Sequence, residues 1–217
     1  MKDREFYKSF FRLYVVLVLQ NIVTLSVNLA DNIMLGSYGE VSLSGVTSVN
    51  QIQFLYQQLL IAFGDGMVIF CSQYWGKKQF APMKKIIALA MRFGIAIAVI
   101  LFAVISVFPE QAMLCFTSDR QIIEEGVRYL HTIRFTYLFF AVTKMLLAAL
   151  RSTEVPGIAL RLSVMALVVN CGINYVLIFG RFGAPELGVT GAAIGTLTAR
   201  ILECGVLIFY VIRKEQY

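Results

Sequence analysis

Six stretches of the chain stay apolar for about 20 residues or more, the length a helix needs to cross the hydrocarbon of a bilayer. They fall at roughly 12–36, 45–74, 86–108, 126–150, 157–180 and 187–212. Composition points the same way. Of 217 residues 59% are hydrophobic and 15% charged, with a mean hydropathy of +0.75, whereas soluble domains carry about 25% charged residues. The expected fold class is all-α: a polytopic membrane protein, one bundle of six transmembrane helices with 1–217 as a single domain. The first stretch is too long for the apolar core of a signal peptide, and no small-x-small cleavage pattern precedes Asp31. It is expected to stay in the membrane with the other five.

The stretches are separated by short segments rich in Gly or Pro: "GSYGE" (36–40), "GKKQFAP" (76–82), "PEQ" (109–111), "STEVPG" (152–157) and "GRFGAPELG" (180–188). No flexible linker, low-complexity tract or internal repeat interrupts them. Basic residues collect on alternate connections, as the cytoplasmic sides of membrane proteins do. Lys2, Arg4, Lys8 and Arg12 precede the first span, Lys77, Lys78, Lys84 and Lys85 lie in the second loop, Arg151 and Arg161 flank the fourth, and Arg213 and Lys214 end the chain. That is 12 of 19 Lys and Arg residues. The other connections carry Arg120 and Arg181, offset by Glu40, Glu110, Asp119 and Glu186. Both termini are therefore expected to be cytoplasmic. The net charge of +6 reads as topology, and nucleic acid is not an expected partner. Cys71, Cys115, Cys171 and Cys204 show no CxxC spacing, so neither a zinc site nor a disulfide framework is indicated.

Polar residues inside the spans carry the functional signal. An unpaired carboxylate in lipid costs about 3 kcal/mol on insertion scales, so an intramembrane Asp faces the bundle interior or a wet cavity. Gln20, Thr24, Asn28 and Asp31 are spaced four, four and three, along one side of helix 1. On helix 2, Gln51, Gln58 and Asp65 recur every seven residues and read as a second wet wall, with Asn50, Gln53 and Gln57 on an adjoining strip. Helix 5 brings Asn170 and Asn174, one turn apart, and helix 6 brings Thr196, Arg200 and Glu203 on one side. Gly191 and Gly195 form a GxxxG, a spacing that lets helix backbones approach closely.

Scattered Ser, Thr and Asn read as interhelical glue, but Asp31 does not. A carboxyl group buried beside Asn side chains is suited to exchanging a proton for a substrate or for Na⁺, because its surroundings set when it ionises. Arg200 and Glu203 either neutralise each other or serve the pocket. Lys144 is expected to snorkel to the cytoplasmic interface, Arg134 lies deeper without an explanation, and Asp65, between Gly64 and Gly66, either caps a break in helix 2 or binds. His131 has no second ligand at metal spacing. No HExxH, GxSxG, phosphate-binding glycine loop or Cys/His pair is present. The reading is not an enzyme: no catalytic residues, no metal, no cofactor.

Five segments, "NLADNIMLGSYGEVSLSGVTSVNQI" (28–52), "CSQYWGKKQ" (71–79), "LLAALRSTEVPGIAL" (146–160), "VVNCGINYVLIFG" (168–180) and "LGVTGAAIGTLTARILE" (187–203), together resemble the N-terminal lobe of the multidrug and toxic compound extrusion (MATE) family of cation-coupled efflux transporters. The resemblance covers nearly the whole chain. It implies that Asp31 is the cation-responsive residue, that Asn170, Asn174, Thr196 and Tyr129 complete the cation-coupling site, and that the coupling ion is H⁺ or Na⁺. Asn28, Gln51, Gln58 and Asp65 are the substrate-cleft candidates.

Three departures from the family pattern stand out. Asn174 replaces an acid found in some members, Val16 stands where many have a helix 1 proline, and one lobe is present where the family has two. The expected function is secondary active efflux of small organic cations or drugs from a prokaryotic plasma membrane, as a half-transporter or fragment. The missing half would come from a parallel homodimer or a C-terminal lobe. Two alternatives stand beside it: a lipid-linked oligosaccharide flippase, for which Arg134 and Arg200 are the cleft candidates, and an inactive truncated fragment.

Overall fold

The computed structural model describes residues 2–153 and 157–214. In lipid a backbone N–H or C=O has no water to turn to, so each span must satisfy its own hydrogen bonds as a helix. Eight α-helices follow among the described residues: α1 (Lys2–Tyr38), α2 (Glu40–Gly76), α3 (Phe80–Val107), α4 (Pro109–Leu114), α5 (Arg120–Ile133), α6 (Thr136–Ser152), α7 (Gly157–Ile178) and α8 (Val189–Lys214). α1, α2, α3, α7 and α8 are each long and apolar enough to cross a membrane, and α5 with α6 makes a sixth crossing as a bent pair. The chain is a multi-pass membrane protein.

Hydropathy marks where lipid begins, not where a helix ends. α1 and α2 therefore run past their expected limits of 12–36 and 45–74, and the "GSYGE" break shrinks to Gly39 alone. "PEQ" is likewise not a break but the first turn of α4, with Pro109 at the start where its missing N–H costs nothing. Residues 154–156 of the "STEVPG" segment and 215–217 at the end of the chain lie outside the described residues.

The expected helix 4, 126–150, is the main departure. It is two helices bent by 56°. At the bend the Thr136 hydroxyl donates to the Ile133 carbonyl at 2.6 Å, and Phe135 N–H turns back to Thr132 O at 3.4 Å, an i−3 bond in place of the i−4 ladder. A side chain competing for backbone carbonyls bends a helix in this way. Arg134 sits at the corner, its guanidinium over the rings of Phe102 (5.7 Å) and Phe135 (5.2 Å), a placement that compensates a charge at this depth.

Past the bend, α6 is buried along most of its length. α2 and α3 pack on one flank of it and α8 on another, while α1 lies along α7, and α7 along α8. The Tyr56 hydroxyl of α2 donates to the Tyr137 carbonyl of α6 at 2.7 Å within a core of Leu60, Met145, Ile133 and Leu130. α2 has no break at Asp65, so that residue caps nothing.

α2 and α5 cross tightly at Gly45, where a Cβ would stand 2.9 Å from the Gly126 backbone nitrogen and 3.1 Å from the Ile122 carbonyl. Gly45→Val must push two backbones apart. It is expected to destabilise the detergent-solubilised protein by about 1–3 kcal/mol, read as a lowered unfolding midpoint; an unchanged midpoint would show that the crossing is loose.

Candidate functional site

α1 contributes one inward stripe. At about 100° per residue, Gln20, Thr24, Val27 and Asp31 fall within about 60° of each other, whereas Asn28 lies about 60° beyond Asp31. The structure follows that geometry: Gln20, Thr24 and Val27 line a cavity, Asp31 turns to α7, and Asn28 is exposed. The opposite face, with Ile22, Leu25, Leu29 and Ile33, is apolar and exposed.

Asp31 Oδ1 accepts a hydrogen bond of 2.6 Å from Asn174 Nδ2. The same amide nitrogen donates to Asn170 Oδ1 at 3.4 Å, and Asn170 Nδ2 donates to Thr196 Oγ1 at 3.1 Å. Tyr129, 3% exposed, lies beside Thr196. The five residues expected to form the cation-coupling site therefore lie on one chain of contacts across α1, α7, α8 and α5. Asn174 Oδ1 is buried with no partner among the described residues.

Small residues make this possible. Gly191 allows α8 to approach the Leu177 backbone, where a Cβ would come within 2.7 Å. At Gly195 a Cβ would collide with Asn174 Oδ1. The GxxxG thus sets both the helix spacing and the placement of the Asn174 amide.

Beside Asn170 and Thr196 is a cavity of about 30 Å³, lined also by Gln20, Thr24, Lys144, Ser163, Arg200 and Glu203. That is the volume of about one water in the liquid. Arg200 Nη1 donates to Glu203 Oε2 at 2.7 Å, the two side chains being 18% and 4% exposed, so the pair does neutralise itself. Lys144 corrects the expectation. It does not reach out to the interface; its ammonium lines the cavity and lies 4.9 Å from the Phe140 ring, with the Arg200 guanidinium 5.1 Å from the same ring. The signal that could have found it is the i, i+4 spacing of Phe140 and Lys144, which places the aromatic face beside the charge.

The helix 2 candidates are elsewhere. Gln51, Gln58 and Asp65 are exposed on α2 and, with Asn28, line none of that cavity. Asp65 accepts from Arg151 of α6 at 3.1 Å. His131 is exposed, and among the described residues no three His, Cys, Asp or Glu side chains gather at metal-binding distance.

The family model for MatE matches residues 17–176. A probable multidrug resistance protein NorM of Thermotoga maritima is 25% identical over 98% of this chain and 46% of its own length. One from Rhizobium meliloti is 26% identical over 90% of this chain and 42% of its own. The chain spans about half the length of the curated relatives it matches. Among solved structures, the MATE multidrug transporter DinF-BH, in complex with a dye, superposes with a TM-score of 0.87 at 20% identity, covering 95% of this chain and 46% of that one, a likeness of fold.

Removing one member of a buried ion pair strands the other. Arg200→Met is expected to cost about 3–5 kcal/mol, and Arg200→Met/Glu203→Leu considerably less, in denaturation of the solubilised protein. A double variant as unstable as the single one would mean the pair is not desolvated.

Proposed function

The chain belongs to the MatE family, whose members are transporters rather than enzymes, and from that premise we propose that it is one lobe of a cation-coupled exporter in which Asp31 takes up H⁺ or Na⁺ in exchange for a small organic cation. The observation that carries this reading is the 2.6 Å bond between Asp31 and Asn174, two helices tied by a carboxylate at membrane depth beside a water-sized cavity. Ionised, Asp31 accepts from the Asn174 amide. A proton or Na⁺ on Asp31 competes with that donor, and Asn174 Oδ1, buried and unpartnered, is the oxygen that a turned-over amide would present to the new arrival. Asn170 Oδ1, Thr196 Oγ1 and the Tyr129 hydroxyl offer further oxygens to a hard cation.

Loading then changes how α1 is held. Of its described side chains only Leu35 is fully buried, so the Asp31–Asn174 bond adds a polar tie to the packing of α1 along α7. A ligand shifts a conformational equilibrium only through its different affinity for the two states. Here that difference is the presence or absence of one interhelical bond. Asn28, Gln51, Gln58 and Asp65, exposed on α1 and α2, are proposed to line the substrate cleft toward a second lobe, supplied by a C-terminal half or a parallel copy. The lobe would sit in a prokaryotic plasma membrane with both termini cytoplasmic.

A second reading, a lipid-linked oligosaccharide flippase, is favoured by the Lys144 and Arg200 cations at the cavity; it predicts lipid flipping without dye transport. For the exporter, Asp31→Asn in membrane vesicles is expected to reduce cation-driven transport of a fluorescent organic cation, such as a rhodamine dye, by about ten- to a hundredfold, the scale of a lost charge-assisted interaction, with unchanged protein in the membrane. Undiminished transport by that variant would remove Asp31 from the mechanism, and no transport by the wild type in any oligomeric state would make the chain inert on its own.

A further inference from the structure

Arg92 departs from the rule that charged residues in a span turn toward the bundle. α3 buries Ala90, Gly94 and Ala98, each one turn from the next, and at Gly94 a Cβ would stand 3.0 Å from Met145 Cγ of α6. That stripe packs on the bundle. Arg92 is two residues from both Ala90 and Gly94, about 200° round the helix, and is exposed. Lys85, seven residues earlier, lies within about 20° of the same outward line and is exposed too. Leu89, Ile95 and Val99, all exposed, complete this face. Arg92 stands on it about 9 Å inside residue 86, where the apolar stretch begins.

No protein group answers its charge. From Gly66 to Pro109 the sequence holds Lys77, Lys78, Lys84, Lys85 and Arg92 and no Asp or Glu. None of the five side chains makes an ion pair or hydrogen bond among the described residues. The helices packed most closely on α3 are α6, α2 and α4. α6 carries no acid, Asp65 of α2 is bonded to Arg151 at 3.1 Å, and Glu40 of α2 and Glu110 of α4 stand at the opposite end of α3.

We propose that Arg92 and Lys85 hold the phosphate of an anionic glycerophospholipid whose acyl chains lie along Leu89, Ile95 and Val99. Charge and place together name the occupant. A Cα–Cβ bond tilts toward the helix N-terminus, so the Arg92 side chain leans along α3 toward Lys85 and the interface, and a guanidinium can pair with two phosphate oxygens at once. Free phosphate would meet the charge but leave the apolar face bare, and a zwitterionic headgroup brings its own ammonium and leaves the positive charge standing. An anionic lipid answers both. In the orientation proposed above it belongs to the cytoplasmic leaflet, where basic loops meet anionic headgroups in general; Arg92 adds a contact two turns deeper than the loop. The site is independent of Asp31 and of the coupling ion.

The test is native mass spectrometry of the full chain in detergent, titrated with phosphatidylglycerol or phosphatidylcholine. The wild type is expected to retain phosphatidylglycerol in preference to phosphatidylcholine. Arg92→Gln should weaken phosphatidylglycerol binding about tenfold or more, the weight of a charge-assisted hydrogen bond, and Lys85→Gln about fivefold, the weight of a basic residue near the membrane surface. Arg92→Lys should keep most of the preference. Arg213→Gln, which removes an exposed charge near the end of α8, should keep all of it. Equal retention of the two lipids by the wild type overturns the proposal. So does unchanged affinity in an Arg92→Gln protein that elutes like the wild type on size exclusion, and so does an equal loss in Arg213→Gln, which would mark a general charge effect.

Discussion

A polar side chain surrounded by hydrocarbon must find its partner on another helix, because no water is there to serve instead. In this lobe that constraint is concentrated in the bond from Asn174 to Asp31, which joins α1 to a pair of helices otherwise held by small residues. Gly191 and Gly195 bring α8 against α7; that approach sets where the Asn174 amide sits, and there its N–H groups point at Asp31 and Asn170. Packing and chemistry here are the same fact. The helix spacing decides where the amide sits, and the amide decides how the carboxylate is met.

The other charges at depth are accommodated by a second device, the aromatic face. Phe140 carries two cations, Lys144 and Arg200, and Phe102 with Phe135 carries Arg134 at the bend between α5 and α6. A cation over a ring gains attraction without the two-sided desolvation of a buried ion pair. Only Arg200 adds a carboxylate partner. The bend matters for the same region: it lets α5 bring Tyr129 to Thr196 while α6 brings Lys144 to the far side of that network, two placements that one straight helix starting at 126 would not make together.

Family membership rests on the match over residues 17–176, and the fold on its superposition with solved transporters. Both concern about half of the relatives' length, so what a complete transporter does with this lobe is a reading of the site. The exposed apolar stripe of α1 and the exposed glutamines of α2 mark the surfaces where lipid or a second lobe would lie.

Hydropathy and helical spacing are local properties, so the sequence by itself determined the membrane class, the places of the crossings, and the grouping of Thr196, Arg200 and Glu203, or of Asn170 and Asn174, on single helix faces. It also singled out Asp31, since a carboxylate in an apolar run is visible without any partner. What only the tertiary structure decided was which faces meet. Asp31 and Asn174 are 143 residues apart, and nothing local says that α1 lies along α7 or that Lys144 turns to Phe140 instead of the interface. The break at Arg134 was hidden for a related reason: hydropathy averages over a span, whereas the bend is a change of a few residues where the backbone bond turns to i−3.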